Sequence, residues 1–191
     1  MSERFYLLRI QLLDIEPKIW RRFVVPANIT MDRLHDVIQI VMGWTDSHLP
    51  EFTIGNKRYT EYPESKEDGL VCGRYRLGDL IKQKGRTFKY LYDFGDSWEH
   101  KLEIGQITDP VPGDFYPRLT DIAGRCPPED VGGFPGYEEF IEAMANPKHP
   151  EHAHLKDWYG GPFDPNTPPA DELRLEVLRL AKRWKPKKAV N

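Results

Sequence analysis

The strongest constraint on the fold lies in residues 88–104, where apolar and polar side chains alternate on both sides of a short turn. Phe88, Tyr90 and Tyr92 occupy alternate positions before the turn, and Trp98 begins a second alternating run after it. A period of two is typical of β-strands. The sequence Phe-Gly-Asp-Ser between the runs favours a turn, because glycine adopts positive φ and the Asp and Ser side chains bond to nearby amides. These residues therefore predict a β-hairpin.

The register of this hairpin determines which side chains share a face. In the simplest register, Asp93 pairs with Trp98 across the turn. Leu91 then opposes His100, and one face of the hairpin presents four side chains, namely Asp93, Trp98, His100 and Leu102. A β-bulge beside the glycine would break this register. Within it, Asp93 and His100 are diagonal neighbours that long side chains can bridge.

The face that carries Asp93 and His100 has two interpretations. In the functional one, a carboxylate orients an imidazole beside the indole of Trp98, as a general base or the floor of a ligand site requires. In the structural one, Asp93 and Asp96 cap the turn, and His100 is a half-buried histidine bonded to a carbonyl oxygen. The residues alone leave both interpretations open.

Further elements surround the hairpin. Thr30 is a favourable N-cap and Gly43 a favourable C-cap for a main helix over residues 30–42. A short helix is predicted over residues 77–82. The order of the elements indicates an α+β fold, in which a mixed or antiparallel sheet wraps the main helix in a β-grasp-like arrangement. Four more strands are predicted from alternation, at residues 4–14, 19–25, 48–54 and 57–60.

The character of the chain changes after the hairpin. Pro110 and Pro112 exclude a central strand at their positions. Helices are predicted to begin near Pro135 and Thr167, where apolar residues recur at helical spacing, and we expect them to pack on the sheet. We therefore predict one domain, 1–191, made of a sheet-rich core of about 1–105 and a proline-rich, helical extension of about 106–191.

The composition is that of a soluble folded protein, with 39% hydrophobic and 30% charged residues and a mean hydropathy of −0.62. No apolar run reaches membrane-spanning length and no signal-peptide pattern opens the chain, so we expect a cytoplasmic protein. Cys72 and Cys126 lack the paired spacing of a disulfide framework or a zinc knuckle. We expect both thiols to be free, with Cys126 a buried residue rather than a nucleophile.

Five motifs occur in order along the chain. They are Ile-Trp-Arg-Arg (19–22), Leu-His-Asp-Val-Ile-Gln (34–39), Gly-Trp-Thr-Asp-Ser-His-Leu (43–49), Tyr-Asp-Phe-Gly-Asp-Ser-Trp-Glu-His (92–100) and Cys-Pro-Pro-Glu-Asp-Val-Gly-Gly (126–133). Through these motifs the chain resembles the plasmid pRi ORF-three-like family over most of its length, and some members of that family are labelled transposon-passenger TnpR proteins. The resemblance implies no particular reaction. A serine recombinase is not supported either, because Ser2 precedes the predicted fold and no arginine cluster surrounds a serine at a strand end.

The sequence lacks the motifs of the common enzyme classes: a Walker A loop, GxGxxG, GxSxG and HExxH are all absent. We therefore predict a non-enzymatic binding module without a cofactor or bound metal, whose partner is a small molecule, a peptide or a protein. The alternative is a metal-dependent or hydrolase-like enzyme that uses Asp93 and His100. A third role, DNA binding for a mobile element, would depend on Arg21 or Arg22 and the basic run 182–188, although the net charge of −3 does not favour it.

The candidate site combines the hairpin with two other segments. We expect the hairpin to contribute four side chains, those of Asp93, Asp96, Trp98 and His100. The walls are predicted to come from the turn at 46–48 and the loop at 126–133, whose glycines and prolines favour a rigid backbone. The prediction is a cleft in which side chains lie within hydrogen-bonding distance or one water molecule of each other, namely His48, Asp93, His100 and Glu129 or Asp130.

Overall fold

The computed structural model describes residues 4–184, which form one sheet of eight strands and five α-helices. Ser2 and residues 185–188 of the predicted basic run lie outside the described residues. The strands are β1 (Phe5–Leu12), β2 (Trp20–Pro26), β3 (Pro50–Ile54), β4 (Lys57–Thr60), β5 (Leu70–Val71), β6 (Thr87–Tyr92), β7 (Trp98–Thr108) and β8 (Arg118–Ala123). The helices are α1 (Met31–Met42), α2 (Leu77–Leu80), α3 (Gly133–Ala145), α4 (His152–Tyr159) and α5 (Ala170–Trp184), and a 3₁₀ turn covers Cys72–Arg74.

The sheet is mixed and open. Its strand order is β5-β4-β3-β6-β7-β1-β2-β8, and every pair is antiparallel except β4 with β5. The α+β class and the C-terminal helices are confirmed, whereas the β-grasp arrangement is not what this strand order shows. One reason is β8, which the proline-rich segment adds beside β2, so the sheet extends beyond residue 105. Pro112 and Pro117 both precede this strand rather than interrupt it, which is why it can pair.

The core lies on one face of the sheet. In β1, Leu8 and Ile10 are fully buried, whereas Leu7 and Arg9, which alternate with them, are only partly buried on the opposite face. Helix α1 packs against the buried face through apolar residues at helical spacing, and α5 packs beside α1. The buried stripe of α1 contains Leu34, Val37, Ile38 and Val41, as its spacing predicts.

Helix α1 ends where the sequence predicts. Gly43 adopts a φ of 91°, and its amide donates to the carbonyl oxygen of Gln39. Thr30 has the extended backbone of an N-cap residue, but its side chain makes no capping hydrogen bond. The glycine therefore defines the end of this helix more sharply than the threonine defines its start, and the chain turns directly from Gly43 into the segment that carries His48.

The central hairpin forms in a register that differs from the predicted one. Tyr92 pairs with Trp98 and Tyr90 pairs with His100, so Asp93 lies outside the ladder. Leu91 therefore does not oppose His100, and Asp93 does not share the face of Trp98 and His100. Both tyrosines are fully buried, and a slip of one residue would turn them to solvent. Asp93 instead begins the turn with a φ of 60°.

Candidate functional site

Three loops meet at the end of the sheet where β6 turns into β7. They are the segment that follows α1 (residues 44–48), the hairpin loop (93–97) and the loop that precedes α3 (126–133). The first and the last are far apart in the chain, yet side chains of each contact the other and the end of β6. This junction contains most of the side chains that the sequence predicts for the site.

Tyr92, the last residue of β6, holds two of these loops together. Its hydroxyl accepts hydrogen bonds from the backbone amides of Ser47 (3.0 Å) and His48 (3.3 Å). The same hydroxyl donates to Oε1 of Glu129 at 2.5 Å. Burial and the adjacent Glu129 carboxylate raise the pKa of Tyr92, so the hydroxyl keeps the proton that it donates.

The contact between residues 44–48 and the loop at 126–133 has two further supports. The other carboxylate oxygen of Glu129 accepts from the amide of Thr45 (3.1 Å) and from its hydroxyl. The indole of Trp44 donates to the carbonyl oxygen of Pro127 (3.0 Å) and stacks on Tyr92 at 4.9 Å between ring centroids. Glu129 is therefore a structural link between loops, because both of its carboxylate oxygens accept hydrogen bonds.

The hairpin loop is fixed in a similar way. Oδ1 of Asp93 accepts from the amide of Gly95 (2.8 Å), and the Asp93 carbonyl oxygen accepts from the amide of Ser97 (2.7 Å). Oδ2 of Asp96 accepts from the amide of Gly132 (3.2 Å), which joins the hairpin loop to the start of α3. Asp93 thus caps the turn, as the structural interpretation of the sequence expects, whereas Asp96 caps an amide outside the hairpin.

At the centre of the junction, one imidazole nitrogen faces two carboxylates. Nε2 of His48 lies 3.0 Å from Oδ1 of Asp130 and 3.6 Å from Oδ2 of Asp93, and the three atoms all lie within 4.8 Å of one another. We call these three side chains the His48 cluster. Asp130 is 71% exposed, His48 29% and Asp93 10%, so the cluster opens to solvent along one side. Among the described residues, no lysine or arginine forms an ion pair with either aspartate.

His100 is not part of this cluster, which corrects the predicted cleft. Its side chain is fully buried, with Nδ1 3.3 Å from the carbonyl oxygen of Tyr90 and the ring edge against Trp44. Nε2 has no hydrogen-bond partner. Burial lowers the pKa of His100 to about 3, so the ring is neutral. The observed register directs His100 into the core, where it cannot meet a ligand.

Trp98 also lies in the core rather than on an open surface. It is 3% exposed and packs against Trp44 and Tyr137. A tryptophan platform for a ligand, as the functional interpretation expects, is therefore absent from this position. The same register explains both corrections, because Trp98 and His100 occupy alternate positions on the buried face of β7.

A buried polar network, which was not predicted from the sequence, connects the core to the loop that carries His48. The Tyr90 hydroxyl bonds to Nδ1 of His35 (2.8 Å) and to the Gln39 side chain (2.9 Å). Nε2 of His35 bonds to Asp46 (2.7 Å), which leads from the core to the loop of His48. The available signal was the alternation that buries Tyr90 and Tyr92, because a buried tyrosine hydroxyl needs a partner.

Arg21 and Cys126 form a separate buried pair. The guanidinium of Arg21 donates to the carbonyl oxygens of Val41 (2.7 Å) and Ala123 (2.7 Å) and to Sγ of Cys126 (3.1 Å). Burial raises the pKa of the Cys126 thiol. Arg21 is fully buried and cannot reach a phosphate, whereas Arg22 is exposed beside Trp20. Only Arg22 remains of the two arginines predicted for nucleic-acid binding.

The fold and the site define an α+β protein with an open eight-stranded sheet and an acidic cluster at one end. No helix of the described residues is both long and apolar enough to span a bilayer. The chain belongs to the plasmid pRiA4b ORF-3-like family, whose model matches residues 4–172.

Two relatives support this assignment. The uncharacterized protein y4hQ of Sinorhizobium fredii (strain NBRC 101917 / NGR234) is 42% identical over 180 residues, which cover 93% of this chain and 92% of that protein. The crystal structure of MM3350, a protein of unknown function from Methanosarcina mazei Go1, has a TM-score of 0.79 and 34% identity, and the match covers 87% of this chain and 96% of that one. The family and the fold are thus established by both sequence and structure, and neither relative has a stated activity.

Proposed function

We propose that this protein is a non-enzymatic binding module and that it holds a positively charged ligand at the His48 cluster. One observation carries the proposal: two aspartates converge on a single imidazole nitrogen without a lysine or arginine partner among the described residues. Like charges so close together disfavour the empty site, and a cation would relieve the repulsion. The ligand class is therefore a cation.

The surroundings of the cluster favour recognition over catalysis. Tyr92 and Glu129 use their polar atoms to join loops, and the carboxylate of Asp96 bonds a backbone amide. A site with its supporting groups already bonded is preorganised, which lowers the entropic cost of binding. An enzyme that uses His100 as a base gains no support, because that imidazole is buried and neutral.

The proposal is tested by NMR titration of the full chain with cationic and anionic probes. We expect zinc chloride or spermidine to shift the amide resonances of residues 45–48, 93–97 and 129–133. Sodium citrate at equal ionic strength should leave these resonances unchanged, because the cluster repels anions. If every cationic probe leaves these amides in place, or if citrate shifts them, the proposal is wrong.

A pair of variants separates the cluster from the overall charge. The double substitution Asp93→Asn and Asp130→Asn should abolish the shifts while the fold persists. Both aspartates have a positive φ, which asparagine also tolerates, and asparagine can still accept the hydrogen bond from Gly95. Asp171→Asn is the matched control, because this fully exposed carboxylate lies on α5. The Asp171→Asn variant should bind the probes as the wild type does.

A further inference from the structure

The structure assigns a more specific ligand to the same cluster: a divalent first-row transition-metal ion held by Nε2 of His48, Oδ2 of Asp93 and Oδ1 of Asp130. This inference rests on the proposed function and narrows its cation to a metal. The prediction from the sequence was a site without a bound metal, although all three residues belong to the predicted cleft.

The three potential ligand atoms lie close to the spacing that a metal ion requires. His48 Nε2 lies 3.0 Å from the Asp130 oxygen and 3.6 Å from the Asp93 oxygen. Ligand atoms bound to zinc at about 2.1 Å are separated by roughly 3.0 to 3.4 Å in octahedral or tetrahedral geometry. The two distances from the imidazole nitrogen are at or near this range, and the two carboxylate oxygens, which lie within 4.8 Å of each other, would complete one coordination sphere after a side-chain adjustment.

The carboxylate of Asp93 has one oxygen available for an ion. Its side chain is nine-tenths buried, and Oδ1 is occupied by the amide of Gly95. Oδ2 points at the cluster, and its contact with His48, at 3.6 Å, is longer than a hydrogen bond. Among the described residues, no hydrogen-bond donor reaches this oxygen, so its electron pairs are free to bind an ion.

The imidazole cannot satisfy both aspartates by itself. Nε2 carries one hydrogen at most, and the nearer acceptor is Asp130 at 3.0 Å. A metal ion resolves this conflict, because the deprotonated nitrogen and both carboxylate oxygens then donate electron pairs to one centre. The three ligands also come from three separate loops, each fixed by its own hydrogen bonds, so the ion would join them.

The types of ligand atom in the His48 cluster indicate which metals it would bind. Magnesium and calcium prefer sites made only of oxygen ligands, whereas an imidazole nitrogen suits zinc, manganese, iron, cobalt or nickel. Thiolate ligands are not available, because both cysteines are buried elsewhere in the fold. Three protein ligands on a half-exposed surface leave coordination positions for water or for a donor atom of a partner.

The experiment is calorimetric titration of the tag-free full chain after removal of metals with a chelator. We expect zinc to bind at one ion per chain, and cobalt(II) to bind with the visible absorption bands of a nitrogen and oxygen site. Magnesium and calcium should give no comparable heat. Stoichiometric binding of zinc or cobalt supports the inference, and its absence overturns it.

Variants locate the ion. Asp93→Asn and His48→Gln should each weaken zinc binding by more than about 100-fold, since the loss of an outer-sphere partner alone costs up to that factor. His154→Gln is the matched control, because this exposed imidazole of α4 is outside the cluster and should leave the affinity unchanged. Wild-type affinity in the Asp93 and His48 variants would place the ion elsewhere and overturn the assignment.

The metal inference and the proposed function fail in different ways. If the chain binds no transition metal but spermidine still shifts the amides of residues 45–48 and 93–97, the metal is excluded and the cation site stands. If neither the metals nor spermidine affect these amides, both are excluded.

Discussion

At the scale of single residues, the fold tolerates two buried basic groups in different ways. Arg21 satisfies its guanidinium with three backbone carbonyl oxygens and the Cys126 sulfur, and so connects β2 to the end of α1 and to the segment after β8. His100 instead bonds weakly to one carbonyl oxygen and keeps Nε2 without a partner. A buried imidazole of this kind must remain neutral, which makes folding sensitive to acid.

The acid sensitivity of His100 can be measured. Its pKa is lowered to about 3 in the folded protein, so the unfolded chain binds the additional proton between that value and the ordinary 6.5. Stability from this group is complete above the ordinary pKa and is lost as the pH falls below it. Between pH 7 and pH 5 the loss is about 2 kcal/mol. In urea denaturation, the free energy of unfolding of the variant His100→Leu should fall less between pH 7 and pH 5 than that of the wild type.

His154→Gln is the control for this prediction, because it removes an exposed histidine from α4. It should retain the pH dependence of the wild type. The interpretation depends only on the slope with pH, so a change in overall stability caused by the leucine does not affect it. Equal slopes for His100→Leu and the wild type would show that His100 binds protons equally in the folded and unfolded states, which would contradict a lowered pKa.

At the scale of elements, the site depends on how the loop at 126–133 docks on the hairpin. Gly133, the first residue of α3, has a φ of +66°, and a Cβ at this position would lie 2.8 Å from the carbonyl oxygen of Asp96. That oxygen belongs to the backbone and cannot move without the hairpin loop. The glycine thus permits the close approach that places Asp130 beside His48.

The variant Gly133→Ala should separate the two loops. The left-handed backbone alone costs about 1 kcal/mol for alanine, and the clash with Asp96 adds to this cost. Gly55→Ala is the matched control, because Gly55 has a similar φ of +60° and open space around it. In urea denaturation we expect Gly133→Ala to lose at least twice as much stability as Gly55→Ala. Similar losses would mean that the close approach contributes nothing.

At the scale of the whole molecule, one core spans both parts of the chain. Apolar residues of α3 and α5, such as Phe140 and Val177, belong to the same buried cluster as Leu8 of β1 and Leu34 of α1. β8 pairs with β2, so residues after the hairpin also complete the sheet. The single domain predicted from the sequence should therefore unfold as a unit.

Cooperative unfolding is the test of this domain prediction. The five tryptophans are distributed over both parts of the chain, with Trp20, Trp44 and Trp98 before residue 106 and Trp158 and Trp184 after it. Tryptophan fluorescence and far-ultraviolet circular dichroism should therefore give coincident urea transitions. Two separate transitions, or a stable fragment of residues 1–112, would contradict a single domain.

Several elements could be predicted from the sequence because their signals lie within a few residues. Alternation predicted β1, β2 and the two strands of the hairpin, and apolar spacing with Gly43 predicted α1 and its end. The predicted cleft contained His48, Asp93, His100 and Glu129 or Asp130, and of these His48, Asp93 and Asp130 lie together in the structure. These signals are local, since strand period, helix spacing and turn chemistry act within a few residues.

The register of the hairpin, the eighth strand and the burial of His100 depend on contacts between distant parts of the chain. A register shift of one residue preserves every local preference, and the buried tyrosines select one alternative only through the core that they fill. β8 is a strand because β2 presents it with an unpaired edge. The same register turns His100 inward and leaves Asp93 at the turn, because the apolar side chains of adjacent strands must be buried on the same face of the sheet.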